Sequence, residues 1–345
     1  MSELTMSTLP EIQQIESRIE TMGSAMRSEV LEYSQDGDLR LPIYKVSFGT
    51  TDPQAPVLGI VGGVHGLERI GAQVTISMLN SFAELVRWDR QMQRTLQDVR
   101  VFFIPTVNPI GILRKTRCNP RGVDLMRNAP IDADKPARWL GGHRYSPKLP
   151  WYRGKENEPM EVESQGLIRG VQQEIKDSQL AITLDCHSGF GLQDRLWFPY
   201  ARTQKPFPEL GLMHSFKSLL DQTYPHHFYK VEPQAGTYTT HGDLWDYLYL
   251  QHQGVERKKQ YLPLCLEMGS WMWVKKHPSQ LFRADGPFNP LIGHRHQRTL
   301  RRHNTLLELM IRAIANPSAW AALSAEQLRQ HHVQAQELWY ANVEK

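Results

Sequence analysis

Cysteine is scarce in this sequence of 345 residues: there are three, Cys118, Cys186 and Cys265, and no C-x-x-C pair. An odd, widely spaced set excludes a disulfide framework and a cysteine-based zinc site, and it fits a reducing compartment. Long apolar runs are lacking too. No window approaches the ~20 apolar residues of a membrane-spanning helix, so no membrane partner is expected. The opening stretch, MSELTMSTLPEIQQIESRIETMG, has no apolar h-region of the secretory type, and the expected location is cytoplasmic. Charge of one sign is barely in excess, because 40 Lys+Arg against 36 Asp+Glu leave +4. A nucleic-acid partner recognised through the overall field is therefore not expected. Basic residues bunch only in His294 to His303 (HRHQRTLRRH).

What is present is material for a core. Hydrophobic residues make up 40% and charged residues 22%, the balance of an ordinary globular protein near the upper size of one α/β core. Apolar, β-rich runs at Ile43 to Phe48, Val57 to Val64, Arg100 to Thr106, Leu180 to Cys186, Leu196 to Tyr200, Phe228 to Val231 and Tyr261 to Leu266 read as strands. The turn-rich TTDPQAP between the first two reads as a hairpin-type connection. Helical spacing marks 72–88, 161–177, 209–222, 299–315 and 325–340. This alternation predicts an α/β fold: a mixed, mostly parallel twisted sheet with helices on both faces, followed by C-terminal helices. Residues 111–160 are irregular and proline-rich, and loops of that length inside a compact domain are usually functional.

Chemistry-bearing residues gather at strand ends. His65 and Glu68 lie just past one strand, Asn108 past another, His187 after LAITLDC and Glu267 after YLPLCL. Ligands of open α/β sheets bind outside the carboxyl ends of strands, so these residues can converge across 200 positions. Two imidazoles and a carboxylate suit a catalytic zinc ion and leave one coordination position open. Glu267 then suits the base that takes a proton from water. A carboxylate in such an apolar strand end has its pKa raised by desolvation and needs a reason to be there. Glu68 also reads as a helix N-terminal carboxylate favoured by the macrodipole, a role compatible with metal ligation.

The sequence resembles the carboxypeptidase A/B-like zinc metallopeptidases through ordered motifs: H-G-L-E at His65 to Glu68, N-P-I-G at Asn108 to Gly111, R-K-T-R at Arg114 to Arg117, G-V-D-L-M-R-N at Gly122 to Asn128, D-C-H-S at Asp185 to Ser188, and Glu267. The resemblance implies one zinc ion held by His65, Glu68 and His187, with Glu267 as general base and Arg117 polarising the scissile carbonyl. It also implies Arg127 and Asn128 as anchors of a terminal carboxylate, Ser188 beside the substrate, and Asp124 orienting His65. Tyr238 resembles the mobile tyrosine that closes over substrate. Trp245 falls near the residue flooring the specificity pocket, and reads equally well as core. One departure is Met126, where the family has asparagine; methionine donates no hydrogen bond to a carboxylate.

The implied function is hydrolysis of a C-terminal amide bond in a peptide or small amide bearing a free carboxylate. Met126 keeps open a deacylase or amidohydrolase acting on N-acyl amino acids or cell-wall-type peptides, and a non-catalytic binding module on the same fold is the third reading. The expected organisation is an N-terminal extension over 1–40, largely helical, a catalytic domain over 41–270 and a helical extension over 271–345. The sequence leaves the oligomeric state open.

Overall fold

The computed structural model describes residues 9–253 and 259–341. Eight strands form one sheet: β1 (Arg27–Asp36), β2 (Leu39–Gly49), β3 (Val57–Gly62), β4 (Arg100–Ile104), β5 (Leu180–Ser188), β6 (Arg195–Phe198), β7 (Lys230–Pro233) and β8 (Gln260–Met268), in the order β1-β2-β4-β3-β5-β8-β6-β7. Four of the seven pairings are parallel. The helices are α1 (Pro10–Met22), α2 (Arg69–Trp88), α3 (Arg90–Thr95), α4 (Pro109–Arg114), α5 (Val162–Ile175), α6 (Leu210–Thr223), α7 (Leu244–Gln253), α8 (Trp271–Lys276), α9 (Gly293–Arg302), α10 (Asn304–Ala315) and α11 (Ala325–Tyr340). β3, β4 and β5 are buried along their whole length because helices cover both faces, which is why their sequences are continuous apolar runs instead of alternating ones.

Three expectations are corrected. The stretch after Phe48 is no hairpin: β2 pairs with β1 and β4, while β3 lies between β4 and β5. The fully buried β4, arriving 50 residues later, takes the place between them. Among the described residues before 41, the helical part ends with Pro10–Met22 and a 3-10 turn at Gly23–Ala25, because Arg27–Asp36 is an edge strand; residues 1–8 lie outside the described ones. The helix expected over 299–315 is two, α9 and α10, parted at His303. That imidazole is fully buried, with Nδ1 2.9 Å from the Tyr229 hydroxyl, so the chain turns to bring it inward.

Two strands run further than their apolar cores suggest. β5 includes His187 and Ser188, and β8 includes Glu267 and Met268. Their parallel register places His187 directly opposite Glu267. Side chains opposite one another across paired strands project to the same face, so the sheet itself sets this pair side by side.

Candidate metal centre

His65 and Glu68 stand on the short connection from β3 to α2, which glycines make passable. Gly63 has φ +69°, and a Cβ on Gly66 would collide with the backbone of Gly111. Asn108 secures the same region: its Oδ1 accepts the Gly111 N–H at 3.0 Å, capping α4, and its Nδ2 donates to the Val64 carbonyl at 3.4 Å. That accounts for the N-P-I-G motif as architecture.

One ligand-type atom from each of His65, Glu68 and His187 lies within 4.8 Å of the others, and all three residues are buried. The two imidazoles are aimed alike. Nδ1 of His65 faces Glu68 Oε1 at 2.8 Å and Nδ1 of His187 faces Glu68 Oε2 at 3.0 Å. Behind them, His65 Nε2 meets Asp124 Oδ1 at 3.0 Å and His187 Nε2 meets Asp185 Oδ2 at 2.7 Å. A carboxylate behind each imidazole fixes ring and tautomer and leaves Nδ1 directed inward, the arrangement a zinc ion requires of its histidines. The donor set therefore fits zinc.

Burial opposes charge throughout the site, and opposite partners outweigh it. Glu68 is held well below the usual carboxylate range by the two imidazoles, and Asp124 is held low by Arg117 and His65. The carboxylates of Asp185 and Glu68 raise His187 well above its ordinary value. Arg117 donates through Nε to Asp124 at 2.8 Å and through Nη1 to Glu68 at 3.2 Å. Glu267 goes the other way: burial, reinforced by the Glu68 charge, pushes it up to about 8.

A cleft of about 710 Å³ opens in front of the cluster, and Arg117, Arg127, Ser188, Tyr238 and Glu267 all line it. Arg127 is 3% exposed, and its guanidinium donates only to the carbonyls of Met126 and Leu140. No carboxylate of the described residues forms an ion pair with it, although its charge is felt by the buried Asp124 and Asp243, and it faces the cleft. Met126 lines the cleft beside it. The Ser188 hydroxyl donates to the Phe288 carbonyl, and its N–H donates to Glu68 at 3.0 Å. Tyr238 packs against Phe190 and Trp197. Burial pushes its phenol up to about 12.

Two expected substrate contacts lie elsewhere. Asn128 bonds the Arg153 carbonyl and the Glu161 N–H, tying the irregular segment together away from the cleft lining. Trp245 is core: its indole N–H donates to Asp185 at 2.8 Å, so it braces the carboxylate behind His187 and does not line the cleft. Asp185 is the residue that motif reading undervalued. Its signal was the D-x-H spacing, since positions i and i+2 of a strand share a face and a carboxylate on an apolar strand needs a partner.

Two imidazoles and a carboxylate gathered at the carboxyl ends of parallel strands, each imidazole backed by a second carboxylate, define a metal centre on an α/β sheet. The chain belongs to the zinc carboxypeptidase family, whose profile matches residues 33–270. It is 24% identical over 261 residues to the catalytic chain of carboxypeptidase N from Rattus norvegicus, covering 67% of this chain and 54% of that protein. The chain thus spans about half the length of the curated relatives it matches. Among solved structures, thrombin activatable fibrinolysis inhibitor superposes with TM-score 0.64 at 16% identity, over 90% of this chain and 73% of that one. Carboxypeptidase A from Helicoverpa armigera does so with TM-score 0.56 at 14% identity, over 85% and 71%. At such identities the likeness is one of fold.

Proposed function

We propose that the protein is a zinc-dependent metallocarboxypeptidase that hydrolyses a C-terminal peptide or similar amide bond. The observation carrying this reading is the conjunction, in one cleft, of the His65, Glu68 and His187 cluster, the Glu267 carboxylate and the unpaired Arg127 guanidinium. His65, Glu68 and His187 would hold the zinc ion, which when bound would supply Lewis acidity toward the attacking water and the scissile carbonyl. Glu267 accepts the proton of that water and delivers it to the departing amine. Arg117 offers N–H donors where negative charge develops on the carbonyl oxygen. Arg127 pairs with the substrate's terminal carboxylate through two parallel N–H bonds. Tyr238 packs over the bound residue.

Glu267→Gln keeps the shape and removes the base. It is expected to retain zinc and to lose about 10²- to 10⁴-fold in kcat on blocked dipeptides. A zinc-loaded variant working at the wild-type rate would sink the mechanism. Met126 favours a second reading, an amidohydrolase for N-acyl or cell-wall-type substrates, because it lines the cleft beside Arg127 and adds no donor to a carboxylate. Comparing peptides with free and amidated C-termini separates the two: a preference for the free acid that Arg127→Ala abolishes rejects this alternative.

A further inference from the structure

α2 starts with its capping position already spent. Glu68 is the N-cap residue, whose side chain would ordinarily accept an N–H of the first turn, yet its carboxylate is turned to the two imidazoles and caps nothing of α2. The Ile70 N–H, two residues on, is met from far along the chain: Asn289 Oδ1 accepts it at 2.9 Å. Asn289 Nδ2 donates to the Leu67 carbonyl at 2.8 Å and to the Asp285 carbonyl at 2.7 Å. One buried amide therefore grips the backbone on both sides of the ligand. Its own turn is held by the buried Gln280, which donates to the Gly286 carbonyl at 2.6 Å. The preceding residue reaches the second histidine, because the Phe288 carbonyl accepts the Ser188 hydroxyl beside His187.

α1 holds the same turn from another side. Arg69, the first residue of α2, donates through Nε and Nη2 to the two oxygens of Glu11 at 2.6 and 2.9 Å, and Gln73 adds a bond at 3.1 Å. Glu11 is 1% exposed. A cation in the first turn of a helix is opposed by the helix dipole, and an unneutralised guanidinium beside Glu68 would also repel an incoming divalent cation. Glu11 cancels that charge. Leu9 and Ile12 seat α1 in a small apolar cluster with Ala72 of α2 and with Ile110 and Ile112 of α4. Glu11 and Asn289 both lie outside residues 33–270, the stretch shared with the family. Without the Asn289 amide, the group placed to take the Ile70 N–H is the Glu68 carboxylate itself, in the ordinary manner of an N-cap. A Glu68 so occupied is lost to the metal, and apparent affinity falls with the fraction of molecules still competent.

Resting on the metal-centre reading, we propose that Asn289 and the Glu11–Arg69 pair are positioning residues for Glu68, the amide relieving it of capping α2 and the ion pair neutralising the charge beside it. Zinc reloading of metal-free protein in a chelator competition provides the test, with the visible absorption of cobalt-substituted protein as a readout of ligand geometry. Asn289→Ala is expected to weaken zinc about tenfold and to change the cobalt spectrum. Glu11→Gln is expected to weaken zinc at least about threefold. Asn289→Asp keeps an oxygen for the Ile70 N–H and is expected to recover most of the affinity. Arg18→Ala breaks the bonds of α1 to Asn80 and Glu84, well down α2, and is expected to leave zinc affinity and spectrum unchanged. Wild-type affinity and spectrum in Asn289→Ala and Glu11→Gln overturn the assignment and leave the metal centre standing. An equal loss in Arg18→Ala does the same, since it marks a merely structural role. If Asn289→Ala does not fold, Glu11→Gln decides by the same two readouts. Failure of the wild-type protein to take up zinc overturns both readings.

Discussion

Asp185 shows how much a single buried carboxylate is asked to do. It accepts from His187 and from Trp245 at once, so the imidazole is fixed by a group that is itself fixed. Asp185→Asn removes the charge and keeps the size; zinc affinity is expected to fall about 10- to 100-fold in a chelator competition. The same contact sets a pH dependence. Burial disfavours a charged His187, but Asp185 and Glu68 outweigh it and keep its proton on to well above the usual pH. Zinc needs an unprotonated Nδ1, so loading releases that proton. Metal and proton compete, and affinity rises with pH by about tenfold per unit while His187 is protonated. Chelator competition between pH 5.5 and 8 measures the slope, and a flat profile would contradict the assignment.

Among the elements, those buried on both faces were legible and those decided by partners were not. β3, β4, β5 and β8 announce themselves as apolar runs, and α11 covers the 325–340 that helical spacing marks, its start held by a capping box of Ser324 and Gln327. β1 was missed because RSEVLEYSQD is an exposed edge whose side chains give little apolar alternation. The β2–β3 connection was misread because strand pairing is settled by what inserts later. Of the site, the ligands, base and arginines stood in motifs. The aromatic wall of the cleft, Phe190, Trp197 and Tyr238, did not, since β6 and two loops build it. One loop position carries a sharp test. Gly242 has φ +67°, and a Cβ there would press into the Arg127 backbone carbonyl. Gly242→Ala is expected to cost more than about 1 kcal/mol in a urea titration. It is also expected to raise KM for free-acid substrates more than it lowers kcat, because Arg127 is displaced.

At the scale of the whole molecule, the C-terminal helix closes an exposed flank. α11 packs along α6, its Trp339 indole donates to the Val231 carbonyl on edge strand β7, and the ring meets Phe198 at 4.7 Å. Cutting the chain before residue 325 is expected to uncover β7, lower the thermal midpoint and promote self-association visible by light scattering, with zinc affinity little changed. No helix among the described residues is long and apolar enough to cross a membrane.

The order of the strands has one more consequence, and it concerns synthesis on the ribosome. The ligands are encoded by residue 187, yet Glu267 arrives only with β8, the strand that joins β5 to β6 in the middle of the sheet. A nascent chain that has emerged through β7 can own every zinc ligand and still lack the proposed base, and its sheet has a gap where β8 belongs. Contacts so distant in sequence form late in folding. The residue proposed as the base thus joins the site only after every strand that carries a ligand has been made.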